Sequence, residues 1–442
     1  MAEFLMNPDR EMVEQALVMG LLVNGRTVLE DFVWTDRSLR FAKVLGEFGL
    51  RFEQKGHQLV LDGTGLQYKC PTFLSVSFEA HPLSLLLGLA SRDTDTIYTA
   101  AGSTESLALA KKILTECFCV KIESESSDSI VFQFLNKMPE AKLTPVGNVP
   151  YLFKNAILLN ALVSGKSVVI EERQPIRDQW SEMLLYFGVP MTLDKDTGEV
   201  MDELARRMAK AKGIKVESKV VTHLQEAKVL TSHDYFVPGD TTEAAAFATL
   251  GVIGPLPKDN RILLKNVGIN TGRSGFFSAL KRMGADVEFT SRRERYGSAF
   301  GNIEAKRGKR LQGRRLSPDI LSNSLEEYPF LALAACAADG ETILRVPECL
   351  SEGMHPLFER LAENLRKTGA EIGVYEEGLV IRGKEELDAG TFDCNGDPIL
   401  GLMLFVLSLF ATGVTTVEGI ECVEAAFPGV CEKLKSAAAV AE

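Results

Sequence analysis

The sequence predicts an α/β protein of two domains, each assembled from three copies of one supersecondary unit. Three observations carry that prediction. First, the unit recurs six times at a spacing of roughly 70 residues, longer than the common solenoid periods, which points to closed, compact domains rather than an open array. Second, the opening helix of each copy is apolar nearly all round, so it belongs in a dry core. Third, each copy runs strand, helix, strand through short links, which implies parallel pairing by right-handed crossovers.

The clearest copy starts at Tyr328. Its apolar helix PFLALAACAA meets the turn Asp339-Gly340, then the strand ETILRV, the amphipathic helix LFERLAENLRKTGA and the strands of EIGVYEEGLVIRG. In the amphipathic helix Leu357, Leu361 and Leu365 line one side, with Glu and Arg opposite. A second copy opens near Thr242 with EAAAFATLGVIG, and the others open at Met12, Pro82, Lys154 and Pro398. Three apolar helices per domain would sit inside, with the sheets around them. The run ILGLMLFVLSLFATG is too short to span a bilayer and reads as the core helix of the sixth copy.

The break between the halves falls near Val237-Pro238-Gly239-Asp240. The expected domains are 11–237 and 238–442 plus 1–10, each of ordinary size. The charged stretch at about 195–235 reads as an insertion on the third copy. Within it MDELARRMAKAKG forms an amphipathic surface helix, acids early and bases late. The basic segment from Lys306 to Arg315 lacks interleaved aromatics for base stacking and reads as a solvated edge-strand hairpin.

Bulk properties narrow the function. Charged residues are 25% and hydrophobic ones 45%, ordinary for a globular chain. A formal net charge of -11 argues against nucleic-acid or anionic-membrane partners. The eight cysteines form no CxxC pair and read as reduced thiols. Cys117 and Cys119 are expected on one face of a strand, too close for a zinc knuckle. MAEFLMNPDREM has no apolar signal stretch, so the expected location is the cytoplasm, and the expected state a monomer. No metal-ligand spacing, dinucleotide fingerprint or phosphate-binding P-loop occurs; no cofactor is expected.

Several segments resemble the enolpyruvyl transferases, specifically the family of 5-enolpyruvylshikimate-3-phosphate synthase, or 3-phosphoshikimate 1-carboxyvinyltransferase. VPGDTTEAAAFATLGVIG with LLKNVGINTGRSGFFSALKRMGADVEF is similar to that family's PGD-SSAAF, KNVGLNPTRTG and LKRMGA segments. EEYPFLALAACAADGETILRV is similar to its DEIP-start helix, and GDPILGLMLFVLSLFATGVTTVEGIECVEAAFPGVCEKL to its GDHR helix and closing SFP segment. The likeness covers nearly the whole chain and is strongest after Pro238. It implies a two-domain inside-out α/β barrel with six βαβαββ-like repeats, three per domain, and an interdomain cleft for phosphoenolpyruvate and 3-phosphoshikimate. Helix N-termini facing that cleft suit phosphate and carboxylate groups. The implied reaction moves a carboxyvinyl group onto a hydroxyl and releases phosphate. It calls for several cations and an acid/base pair.

Carried over position by position, the resemblance gives a mixed set. The PGSKS-SNRAL run reads NPDREMVEQAL, so Arg10 takes the lysine position, Glu11 a serine and Gln15 an arginine, with Asp9 a substrate-binding candidate. GNAGT–R–PL reads LSVSFEAHPL, with His81 at the arginine; a helix-start histidine without catalytic role is the plainer reading. The Ser-Ala/Ser-Gln triplet falls on Pro150, Tyr151 and Leu152, with Lys154 a substitute cation just beyond. Arg177 and Asp178 match the SRDH segment. Glu326 stands at the family's proton-accepting aspartate, although Glu326 and Glu327 also suit a helix start on dipole grounds. The RVKESDR motif reads CLSEGMHPLF, placing Met354 and Leu357 at a glutamate and an arginine. Glu352 or His355 could substitute only through a loop shift. GDHR reads Gly396-Asp397-Pro398-Ile399, and Ala425 replaces a late lysine or serine. Asp240 and Arg273 are kept as substrate-binding candidates, as is Asp397. Three readings follow: the family reaction run by these substitutes, an enzyme for a less anionic ligand, or a non-catalytic binding protein.

Overall fold

In the computed structural model, residues 2–135, 151–172, 179–196, 219–255 and 261–439 are described. They form two compact units. A C-terminal unit comprises Met1–Arg10, Val33–Ser38 and Phe236–Glu442; an N-terminal unit comprises Glu11–Phe32 and Leu39–Tyr235. The chain opens with β1 (Ala2–Leu5) and passes into the N-terminal unit at the start of α1 (Arg10–Leu22).

In order, the next elements are β2 (Asn24–Glu30), α2 (Asp36–Glu47), β3 (Arg51–Lys55), β4 (Gln58–Thr64), β5 (Phe73–Ser75), α3 (Ala80–Ala90), β6 (Ile97–Ala101), α4 (Thr104–Cys117), β7 (Val120–Glu125) and β8 (Ser129–Phe134). Then come α5 (Tyr151–Val163), β9 (Val168–Glu172), α6 (Gln179–Tyr186), β10 (Met191–Asp196) and β11 (Lys219–Leu224). In one sheet β4 lies antiparallel between β2 and β3. In the next, β5 pairs parallel with β6, and β8 lies antiparallel between β6 and β7. In the third, β11 lies antiparallel between β10 and β9. Every residue of α3 from His81 to Ala90 is buried, and α3 packs on α4 and α5. Few side chains there have a polar face to offer water, so the helix gains most by complete burial.

The short β12 (Tyr235–Phe236) leads into the C-terminal unit: α7 (Thr241–Ile253), β13 (Arg261–Gly268), α8 (Gly275–Arg282), β14 (Asp286–Arg295), β15 (Ser298–Lys306), β16 (Arg315–Leu316), α9 (Pro318–Leu321), α10 (Tyr328–Ala337) and β17 (Glu341–Arg345). It closes with α11 (Glu348–Leu365), β18 (Glu371–Tyr375), β19 (Gly378–Arg382), β20 (Thr391–Asp393), α12 (Pro398–Ser408), β21 (Thr416–Glu418), α13 (Glu421–Ala426) and α14 (Val430–Ala439). Its two four-stranded sheets share one plan. A parallel pair, β1 with β13 or β16 with β17, continues into two antiparallel strands, β15 then β14 or β19 then β18. A third sheet is the parallel pair β20 and β21. The helices α7, α10 and α12 pack on one another, and each also lies against strands. Every residue of α10 from Tyr328 to Cys336 is buried.

Parallel pairing therefore occurs across the buried helices, as in β5–α3–β6, β16–α10–β17 and β20–α12–β21, while the strands on either side of an amphipathic helix are kept apart by a third strand. Three expectations need correction. Cys117 ends helix α4, so it does not share a strand face with Cys119. The basic segment is not one edge hairpin, since Lys306 ends the central strand β15 and pairs with Asp286. Arg310 instead donates to the carbonyls of Ala337 and Ala338, the negative end of α10, a sound electrostatic use for a cation. Finally, the stretch holding Glu352 and His355 is not a loop but helix α11, continuous through Pro356. The MDELARRMAKAKG segment lies outside the described residues. Among those residues no helix is long and apolar enough to cross a membrane.

Leu333, fully buried in α10, tests the helix-centred core. Leu333→Ala is expected to lower stability by about 2–5 kcal/mol in urea unfolding, against under about 0.5 kcal/mol for truncating the exposed Tyr375.

Candidate active site

The N-terminus of α7 organises a buried charged cluster in the C-terminal unit. Asp240 is the helix cap: its Oδ1 accepts from the backbone N–H of Thr242 at 2.8 Å and of Glu243 at 3.2 Å. Its Oδ2 accepts from Arg10 Nε at 3.0 Å. Arg10 also lies 3.4 Å from Glu326 Oε2 and stacks its guanidinium 4.2 Å above the Phe427 ring. Burial works against the Arg10 charge, but Asp240 and Glu326 outweigh it and hold its pKa above the ordinary arginine value.

Arg273 is the second hub. It pairs with Asp9, donates to Glu326 Oε2 at 3.0 Å and lies 3.5 Å from Glu327 Oε1. Thr242 Oγ sits 2.8 Å from Glu327 Oε1 and 3.0 Å from Glu326 Oε2, tying the start of α10 to the start of α7. Four carboxylates thus share two guanidiniums. Only Glu326 among the four has an exposed edge, with 18% of its side chain accessible against 3% or less for Asp9, Asp240 and Glu327. Beside them Glu243, fully buried on α7, is held by Asn7 N–H at 2.8 Å and Lys433 at 3.3 Å.

The remaining candidates are placed elsewhere. Asp397 caps α12, accepting from Ile399 and Leu400 N–H at 3.0 and 3.1 Å, with Arg360 3.5 Å away. In the N-terminal unit Lys154 on α5 pairs with Glu172 on β9 at 2.6 Å, both buried. His81 Nδ1 lies 2.6 Å from Glu14 Oε2, and its Nε2 lies 3.2 Å from Gln15 Nε2. With Nδ1–H donated to Glu14, the ring Nε2 accepts from the Gln15 amide. Arg177, Asp178 and Pro150 lie outside the described residues. Glu352 is exposed on α11, and His355 lies 3.6 Å from Glu359 one turn on.

Sequence reasoning missed Thr242, Glu243, Glu327 as a ligand of Arg273, Glu14 as the partner of His81, and Lys433. Among the described residues no group of three or more His, Cys, Asp or Glu is arranged to hold a metal. A cavity of about 520 Å³ in the N-terminal unit is lined by Arg92, Asp93, Glu226 and Lys228, none of them a sequence-derived candidate.

Residues 150–434 match the family model described as EPSP synthase (3-phosphoshikimate 1-carboxyvinyltransferase). The chain belongs to the EPSP synthase family. It is 27% identical over 438 residues to the 3-phosphoshikimate 1-carboxyvinyltransferase of Listeria monocytogenes serotype 4a (strain HCC23), covering 97% of this chain and 95% of that one. It is 27% identical over 441 residues to the protein of the same name from Bacillus pumilus (strain SAFR-032), with the same coverage. Among solved structures, EPSP synthase from Acinetobacter baumannii matches with a TM-score of 0.76 at 22% identity, over 99% of this chain and 95% of that one. The enolpyruvyl transferase NikO from Streptomyces tendae matches with a TM-score of 0.67 at 15% identity, over 99% and 94%. These last two establish likeness of fold, a mixed α/β architecture.

Burial pushes the Glu243 carboxyl up to about 7 from 4.5, with Lys433 opposing. A folded pKa above the unfolded one makes the folded state the better proton binder, so this group's contribution falls as pH rises from about 4.5 to about 7. Glu243→Gln removes that dependence. Unfolding free energies of the two proteins are therefore expected to shift in favour of the variant by about 3 kcal/mol between pH 4.5 and 8, measured by urea titration.

Proposed function

We propose that this chain is a transferase of the EPSP synthase type that moves the carboxyvinyl group of phosphoenolpyruvate onto a hydroxyl of 3-phosphoshikimate, with weak affinity for both anionic substrates. The observation that carries the reading is Glu326, the accessible carboxylate of the cluster, held in place by Arg10 and Arg273. Family membership supports enolpyruvyl transfer, and the names of the curated relatives supply the acceptor.

In this reading Glu326 takes the proton of the acceptor hydroxyl as its oxygen attacks C2 of phosphoenolpyruvate, and a general acid delivers a proton to the methylene carbon, making it a methyl group. Collapse of the adduct breaks the C2–O bond to phosphate while a base removes one proton from that methyl, which returns the double bond. Arg10, Arg273 and Lys154 are the cations, with Arg177 and Asp178 as further binding candidates. Asp9, Asp240 and Asp397 act by positioning, since each is tied to a guanidinium or a helix start. Arg10, Arg273 and Lys154 are already bound to internal acids, so a phosphate must displace or share those contacts. A charge-assisted hydrogen bond is worth roughly 1.5–3 kcal/mol, so the competition weakens binding by orders of magnitude.

The framework we assign is the inside-out α/β barrel with six βαβαββ-like repeats, three in 11–237 and three in 238–442 plus 1–10. The shared strand plan of the four-stranded sheets and the mutual packing of α7, α10 and α12 support it. A cytoplasmic monomer without cofactor completes the reading. A second reading, a ligand other than these two or a non-catalytic binding role, is favoured by one observation. Gln15 and His81, at two family arginine positions, hydrogen-bond to each other, and Glu14 already holds the imidazole.

The test is phosphate release from phosphoenolpyruvate with 3-phosphoshikimate. Slow turnover is expected, with half-saturation by phosphoenolpyruvate above about 1 mM, the top of the usual range. Glu326→Gln should cut kcat by about 100-fold or more while the circular dichroism spectrum stays the same. An unchanged rate removes Glu326 from the mechanism, and release no faster than the blank at saturating substrate favours the second reading.

A further inference from the structure

The parallel register of β20 and β21 pairs Asp393 with Glu418, so the residues just past both strands emerge side by side. Cys394 follows β20 and anchors at once: its N–H donates to the Glu418 carbonyl at 3.2 Å, and its Sγ lies 3.0 Å from the same oxygen. Past β21 the chain turns at Gly419, φ 73°, into α13, which delivers Cys422 in its first turn. The two sulfurs lie 3.6 Å apart as free thiols.

The pair is packed closely against two glycines, where a side chain would collide with it. A Cβ at Gly419 would stand 2.9 Å from Cys394 Sγ, and one at Gly401 would stand 3.2 Å from Cys394 Cβ and 3.5 Å from Cys422 Sγ. A disulfide needs about 2.0 Å between sulfurs, so closure asks for movement of about 1.6 Å, within reach of small rotations of the two cysteine side chains. Cys394 is buried, while Cys422 is partly accessible and open to an oxidant.

We infer that Cys394 and Cys422 are a covalent modification site, a thiol pair that closes into an intrachain disulfide and clamps the loop carrying Asp397. That loop is a tight turn: Asn395 and Gly396, the residue types that best accept it, adopt left-handed backbone, φ 49° and 69°, and Asp397 N–H donates to the Cys394 carbonyl at 2.8 Å. Fixing Cys394 to α13 therefore fixes the cap of α12. Burial, Cys394, Asp397 and Glu421 push the Cys422 thiol up to about 12, so Cys422 stays protonated at neutral pH and its oxidation is slow.

With hydrogen peroxide as oxidant the chemistry balances. The Cys422 sulfur attacks one peroxide oxygen, the O–O bond breaks, and a sulfenic acid and one water form. The Cys394 sulfur then attacks the Cys422 sulfur, the S–O bond breaks, and a second water carries off the last thiol proton. Two thiols lose two electrons and two protons, and one peroxide becomes two waters.

The full chain is reduced, desalted, treated with hydrogen peroxide, alkylated and digested. The expected products are a cross-linked peptide joining Cys394 and Cys422 and an intact mass lower by two hydrogens, both reversed by dithiothreitol. Amide exchange at Ile399 and Leu400 should slow by at least about tenfold in the oxidised form. Cys422→Ser should give neither change while unfolding at the same temperature as the reduced parent. Recovery of both cysteines alkylated, or as sulfinic acids without the link, overturns the site. A link that leaves exchange at Ile399 and Leu400 unchanged overturns the clamp.

Discussion

The charge imbalance around the start of α7 constrains everything else that the C-terminal unit does. Asp9, Asp240, Glu326 and Glu327 crowd two buried guanidiniums, Arg10 and Arg273. Buried carboxylates without cations are costly by several kcal/mol each, so the arginines serve the fold before they can serve a ligand. A phosphate entering here meets cations whose charge is already answered. The same is true in the N-terminal unit, where Lys154 is answered by Glu172. The mixed α/β architecture matches that of the family's solved structures, and in it Arg10, Arg273 and Lys154 are each paired with an internal acid.

The fold was legible because its signals are local. A helix such as YPFLALAACA has no polar side to show water, and a strand pair around it follows from short links. Turn glycines and the caps Asp240 and Asp397 lie next to the helices they start. What the sequence pattern concealed was pairing order. It shows that a strand follows each amphipathic helix, but not that β19 slips between β17 and β18. Arg310 misled for a similar reason, since its carbonyl partners on Ala337 and Ala338 are remote in sequence.

The candidate cluster was half legible. Arg10, Asp240, Arg273 and Glu326 could be picked out by resemblance, and they do meet. Their partners could not, because charge pairing is a tertiary property. Lys433 reaches Glu243 across 190 positions, and Arg273 reaches Asp9 across 264. Glu14 is the instructive miss. It lies in the same short run as Gln15, and together their contacts with both ring nitrogens explain how His81 is tolerated deep in the N-terminal unit.

The most direct measurement is the affinity of the intact protein for phosphoenolpyruvate by isothermal titration calorimetry at low salt. Internal neutralisation predicts a Kd weaker than about 1 mM, a binding free energy smaller than about 4 kcal/mol. A Kd in the micromolar range would mean that the cations are available to anions after all, and would contradict the account.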